Sequence, residues 1–144
     1  MALLRMDNVG VVVEDLDAVV AFFLELGMEL DGEGQVEGPW VDSVVGLDDV
    51  RVDMAMIRTP DGHNKLELIR FRNPPAVRTE SNAPANALGI RRLMFAVDDI
   101  EDTLARLRTH GAELLGELTR LDGWRMCYLR GPEGIIVALA EQTG

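Results

Sequence analysis

One segment of this chain occurs twice. Residues 7–30 (DNVGVVVEDLDAVVAFFLELGMEL) lie without a gap on residues 91–114 (RRLMFAVDDIEDTLARLRTHGAEL). Each copy reads as a strand, an acidic turn, an amphipathic helix, a glycine stop and a new strand. Each is followed by a matching hairpin, PDGHNKLEL at 60–68 and PEGIIVAL at 132–139, with one residue more after the glycine in the first. A module present only twice predicts two paired half-domains rather than a solenoid, which needs at least about three units to bury its faces.

Periodicity supplies the elements. Val9, Val11 and Val13 alternate with Asn8, Gly10 and Val12, so the first strand offers one face to a helix and the other to something else. Leu16, Val19, Val20 and Phe23 then fall at helical spacing after the Glu14-Asp15 turn, and Gly27 ends that helix as Gly111 ends its counterpart. In the second copy Asp98 or Asp99 caps a helix whose buried stripe is Ile100, Leu104 and Leu107. Strands are predicted at roughly 28–38, 51–58 and 64–71, and again at 112–119, 125–130 and 135–141. The result is an α+β chain of two tandem βαβββ modules, 1–71 and 88–144, joined by a proline-rich, polar connector at 72–87. Residues 39–49 (PWVDSVVGLDD) form an insertion with room for a short helix.

Charge and length narrow the function. A chain of 144 residues suits one compact domain with a real core. Its formal net charge of −11 argues against nucleic acid and anionic membrane surfaces as partners. No stretch approaches the roughly 20 apolar residues of a membrane span, and the N-terminal apolar run is too short for a signal peptide. With a single cysteine, Cys127, the chain is read as a cytoplasmic protein of a reducing compartment.

The stretches VGVVVEDLDAVVAFFLELGMEL, TPDGHNKLELI, FAVDDIEDTLARLRTHGAEL and GPEGIIVALAE together resemble the vicinal oxygen chelate superfamily, the glyoxalase/bleomycin-resistance/dioxygenase group. The resemblance covers nearly the whole chain and implies a cup of curved, mixed sheet. It also implies a divalent metal held by one residue from the first strand and one from the last strand of each module, commonly His and Glu. Carried over position by position, these fall on Asn8 and Glu67 in the first module and on Arg92 and Ala138 in the second.

Only Glu67 is an ordinary ligand in that set. A catalytic zinc needs about three His, Cys or carboxylate donors, and nickel, iron and manganese draw on the same types. An amide oxygen from Asn8 is a weak donor, a guanidinium is cationic and donates only, and Ala138 has no donor atom. The two histidines do not rebuild the site. His63, if on the same strand as Glu67, stands about 13 Å from it at roughly 3.3 Å per residue, and His110 sits in the last helical turn, where its charge suits the dipole. No cofactor is therefore expected.

Two classes of function follow from the resemblance. The first is a metal-independent binding protein for a small, partly apolar, oxygen-bearing molecule, comparable to the group's drug-sequestering members. Its ligand-contacting residues are then Asn8, Met54, Glu67, Arg92, Met94, Tyr128 and Ala138. The second is an enzyme: a lyase or isomerase with Glu67 as base and Arg92 as oxyanion stabiliser, or a glyoxalase or dioxygenase with an unexpected metal. A nearby guanidinium favours an ionised carboxylate and so works against a general base, which ranks binding first. Charged groups kept at the floor of a cup point to an oxygen-bearing ligand rather than to a plain structural ion pair closing an unused cavity, since a buried ion pair rarely stabilises a fold better than apolar residues do. Which face of the third strand, with Val52, Met54 and Met56, looks inward is left open, and Trp40 and Trp124 join Tyr128 as candidates for the rim. The resemblance also implies a homodimer, with the modules paired within one chain or swapped between two.

Overall fold

The computed structural model describes residues 2–144. They divide into two compact units, the first ending at Arg78 and the second running from Thr79 to Gly144.

In the first unit the elements are β1 (Val9–Val12), α1 (Leu16–Leu26), β2 (Glu29–Glu37), α2 (Pro39–Val45), β3 (Arg51–Arg58) and β4 (Lys65–Asn73). Their sheet runs β1-β4-β3-β2, with β1 parallel to β4 and the other pairs antiparallel. Asp15 caps α1 by accepting from the Ala18 amide at 3.1 Å, and Gly27 ends it at φ 123°, a conformation that a side chain resists. Val19, Phe22, Phe23 and Leu26 form the buried stripe of α1. They pack on Ala55 and Ile57 of β3 and Leu66 and Leu68 of β4, all buried, to make the core of this unit. Burying a side chain of that size contributes roughly 1.5–3 kcal/mol, which is why the stripe and not helix propensity fixes α1 in place.

The second unit contains β5 (Arg92–Ala96), α3 (Ile100–Arg108), β6 (Glu113–Leu114), β7 (Thr119–Leu121), β8 (Trp124–Arg130), a single 3-10 turn (Pro132–Gly134) and β9 (Ile136–Gln142). The order is β5-β9-β8-β6, with β7 also on β8 and β5 parallel to β9. Of the two aspartates able to cap α3, Asp99 does so, accepting from the Asp102 amide at 3.0 Å. Ile100, Leu104 and Leu107 are buried as the stripe requires, joined by Thr103, whose hydroxyl donates to the Asp99 carbonyl at 2.8 Å.

Two local expectations need correction. The strand read at 112–119 is broken into β6 and β7, because the chain advances from Leu114 to Thr119 while its partner moves only from Leu129 to Met126. Two residues are thereby expelled from the ladder around Gly116. The last strand of the first module continues past 71 to Asn73, whose side-chain amide donates to the Asp49 carbonyl at 2.7 Å and holds the strand end down. His63, favoured as a turn residue, does lie in the turn before β4, where its backbone amide donates to Asp61 at 3.0 Å. The insertion at 39–49 does hold a short helix, α2.

Candidate functional site

Strand register decides which side chains share a face. In the first unit Ala55, Ile57, Leu66 and Leu68 face α1, so Met54, Met56, Glu67, Ile69 and Phe71 face the other way. The parallel pairing of Gly10 with Glu67 and the antiparallel pairing of Met56 with Glu67 set Gly10, Glu67 and Met56 in one row across the helix-free face. Asn8 lies just ahead of β1, in step with Gly10 and Val12. The third-strand question is thus answered: Met54 and Met56 stand on the same face as Glu67.

One end of that face is already filled. Val41 of α2 packs with Val50 and Val52, and against Val36, Ile69 and Phe71, so a small satellite core closes the end where β3 begins. Asp42 fastens the segment, its two oxygens accepting from the Val50 amide at 2.7 Å and the Asp49 amide at 3.0 Å. Val52 is consequently core, while Met54, Met56 and Glu67 are only half-buried. Trp40 stands on α2 with 63 % of its surface exposed.

In the second unit the side away from α3 carries Arg92 and Met94 of β5, Ile136, Ala138 and Ala140 of β9, and Met126, Tyr128 and Arg130 of β8. Met94, Ala138 and Tyr128 form one cross-strand row. Arg92 and Tyr128 stand on strands either side of β9, about 9.6 Å apart at roughly 4.8 Å per strand, yet the guanidinium carbon lies 5.0 Å from the centre of the Tyr128 ring. The two side chains meet above β9, and Ala138, offset by one register step, is small enough to let them. Ala138 is completely buried, so it offers a ligand no surface; it is the floor under this contact. Trp124 begins β8 on the same face as Met126 and Tyr128.

The sequence reading missed a further concavity. A cleft of about 630 Å³ opens beside the start of α1, on the helix side of the first sheet, where Glu14, Asp15, Asp17 and Glu33 meet Asp53 and Arg70. Asp53 is held there by Arg72 at 3.0 Å and Arg70 at 3.4 Å, both on Oδ2, while its Oδ1 is buried without a partner. The alternation that puts Met54 on one side of β3 puts Asp53 on the other, which was the legible signal. Among the described residues, no three of His, Cys, Asp and Glu gather closely enough to hold a metal ion.

The sequence model of the Glyoxalase/Bleomycin resistance protein/Dioxygenase superfamily matches residues 5–139. The chain belongs to this superfamily. A glyoxalase family protein from Bacillus cereus is 50 % identical in sequence and superimposes with a TM-score of 0.96, over 100 % of this chain and 97 % of that one. YaeR of Escherichia coli (strain K12) is 27 % identical across 99 % of both chains. The fosfomycin resistance protein FosX from Listeria monocytogenes, solved with Mn(II) and 1S,2S-dihydroxypropylphosphonic acid, is 12 % identical with a TM-score of 0.64, over 99 % of this chain and 93 % of that one, a likeness of fold alone. Three helices and two open, mixed sheets of four and five strands are therefore the superfamily fold.

Proposed function

We propose that this superfamily member binds a small, partly apolar, oxygen-bearing organic molecule without a divalent metal. The observation that carries the reading is Arg92, a permanent cation at a usual ligand position, with its guanidinium over the Tyr128 ring at 5.0 Å. A cation placed there repels a metal ion and offers it no lone pair. At the other usual positions Ala138 has no donor and is sealed beneath neighbours, and an Asn8 amide with a single Glu67 carboxylate falls short of the three strong donors that divalent sites of this kind use. The donor set does not fit the metal.

The apolar part of the ligand has a suitable surface. Met94 and Met126 line the helix-free face of the second sheet beside Arg92, and methionine reshapes itself around irregular or planar molecules. Superfamily membership does not decide between binding and catalysis, since one fold hosts both and only the site chooses. A homodimer and a cytoplasmic location belong to the same proposal.

Elemental analysis of untagged protein, purified without chelator, tests it. Metal content far below one atom per chain is the expected result, together with a melting temperature that Zn²⁺, Ni²⁺ and Mn²⁺ leave unchanged and that members of a small-molecule panel raise. Stoichiometric metal overturns the reading.

A further inference from the structure

Three arginines stand at one end of the second sheet, and two of them donate to backbone carbonyls, although the Nε of Arg91 is buried without a partner. Arg130 donates from Nη1 to the carbonyls of Ser81 at 3.1 Å and Gly134 at 3.2 Å, and from Nη2 to that of Ala83 at 2.9 Å. Arg91 donates to the same Ala83 carbonyl at 3.3 Å. Arg92 differs from both. It is exposed and makes no hydrogen bond or ion pair among the described residues, although the chain carries 25 Asp and Glu against 14 Lys and Arg. Its guanidinium carbon lies over the Tyr128 ring, 5.0 Å from the centroid. The guanidinium N–H donors are left without hydrogen-bond partners, and the attraction to the ring limits how far the side chain swings.

Beside this fork runs an apolar strip. Met94, 51 % exposed, stands in the row of Ala138 and Tyr128, and the next row along the sheet holds Ala96, Ala140 and Met126. A charge at one end of an apolar strip fits a molecule with one anionic end and an apolar body. A single carboxylate is called for because Arg92 alone of the three is exposed with its donors unbonded, while Arg91 and Arg130 keep their charge but turn donors to backbone carbonyls.

We propose that Arg92 is the seat for the carboxylate of a small organic monoacid whose apolar body, best a flat ring, lies along Met94, Tyr128 and Met126. This rests on the metal-free binding reading above and specifies its ligand class. A guanidinium fork matches a planar carboxylate with two parallel hydrogen bonds, a geometry that lysine does not reproduce. Tyr128 holds the fork ready before the ligand arrives, which reduces the ordering cost of binding.

Methionine-methyl NMR of the full chain, titrated with 2-naphthoate and separately with 2-naphthamide, tests the seat. The expected result is that naphthoate moves the Met94 and Met126 methyl signals and binds roughly tenfold or more tighter than the neutral amide, as loss of a charged hydrogen bond implies. Arg92→Gln abolishes that preference and Arg92→Lys keeps only part of it, both with unchanged spectra in the absence of probe. Equal affinity for the two probes, shifts confined to Met54 and Met56, or a preference that survives Arg92→Gln overturns the seat while metal-free binding stands. No response to either probe overturns the seat as well. Failure of the broader reading shows separately, as stoichiometric metal in the untreated protein.

Discussion

Gly134 and Ser81 press backbone against backbone: a Cβ on Gly134 would run into the Ser81 carbonyl, and Gly134 itself sits at φ 83°. That carbonyl also accepts from Arg130, so the chain entering the second unit is clamped from two directions. Gly134→Ala forces the contact apart and strains the turn at once. A loss of about 2–4 kcal/mol of stability is expected, read as a lower urea midpoint. Wild-type stability in this variant would remove the close approach from the account.

Ala138 lies under the meeting of Arg92 and Tyr128, and a larger residue there has to push one of them away. Ala138→Val is expected to cost about 1–3 kcal/mol by overpacking. It should also change the near-ultraviolet circular dichroism of tyrosine, since Tyr128 is the only tyrosine in the chain. An unchanged spectrum alongside unchanged stability contradicts the arrangement.

Asp42 holds the segment after α2 with two charge-assisted bonds, to the Val50 and Asp49 amides. Asp49 itself lies at φ 53°, a conformation that needs such support. Asp42→Ala is expected to cost about 1–3 kcal/mol and to speed hydrogen exchange at the Val50 amide well before global unfolding.

Burial pushes the Cys127 thiol up from its ordinary range, chiefly by desolvating the thiolate. Ellman's reagent at pH 8 is therefore expected to react far more slowly with folded protein than with protein in urea. The folded thiol gives up its proton at higher pH than the unfolded one. Its contribution to stability is complete below the unfolded thiol's range, about 8.5, and falls as pH rises from there through the folded value. Rapid labelling of native protein contradicts this placement.

How far the sequence could be read depended on whether a feature was local. The helix stripes, the aspartate caps and the glycine stops lie within a few residues of each other, and the repeat supplied a second reading of each. Register was harder, because Met54 and Asp53 alternate on β3 and only pairing with Ile69 and Arg70 on β4 says which side each takes. The interruption between β6 and β7 came from a mismatch with a partner strand, which no window on residues 112–119 contains. At the site, Asn8, Glu67, Arg92 and Ala138 were singled out by the family resemblance alone, and no pattern within the chain assigns them a role. The Arg92–Tyr128 contact was not legible, for it joins strands that are distant in sequence and passes over a third.

The outer strand β2 carries Glu29, Asp31, Glu33 and Glu37 along a rim whose residues are nearly all open to solvent. Its hydrogen-bonding groups on the side away from β3 are a template for another strand, but two molecules approaching there bring the carboxylates of Glu33 and Glu37 against each other, Glu29 and Asp31 being paired with Arg58 and Lys65. The protein thus protects itself against runaway sheet growth by repulsion, and added salt weakens that protection.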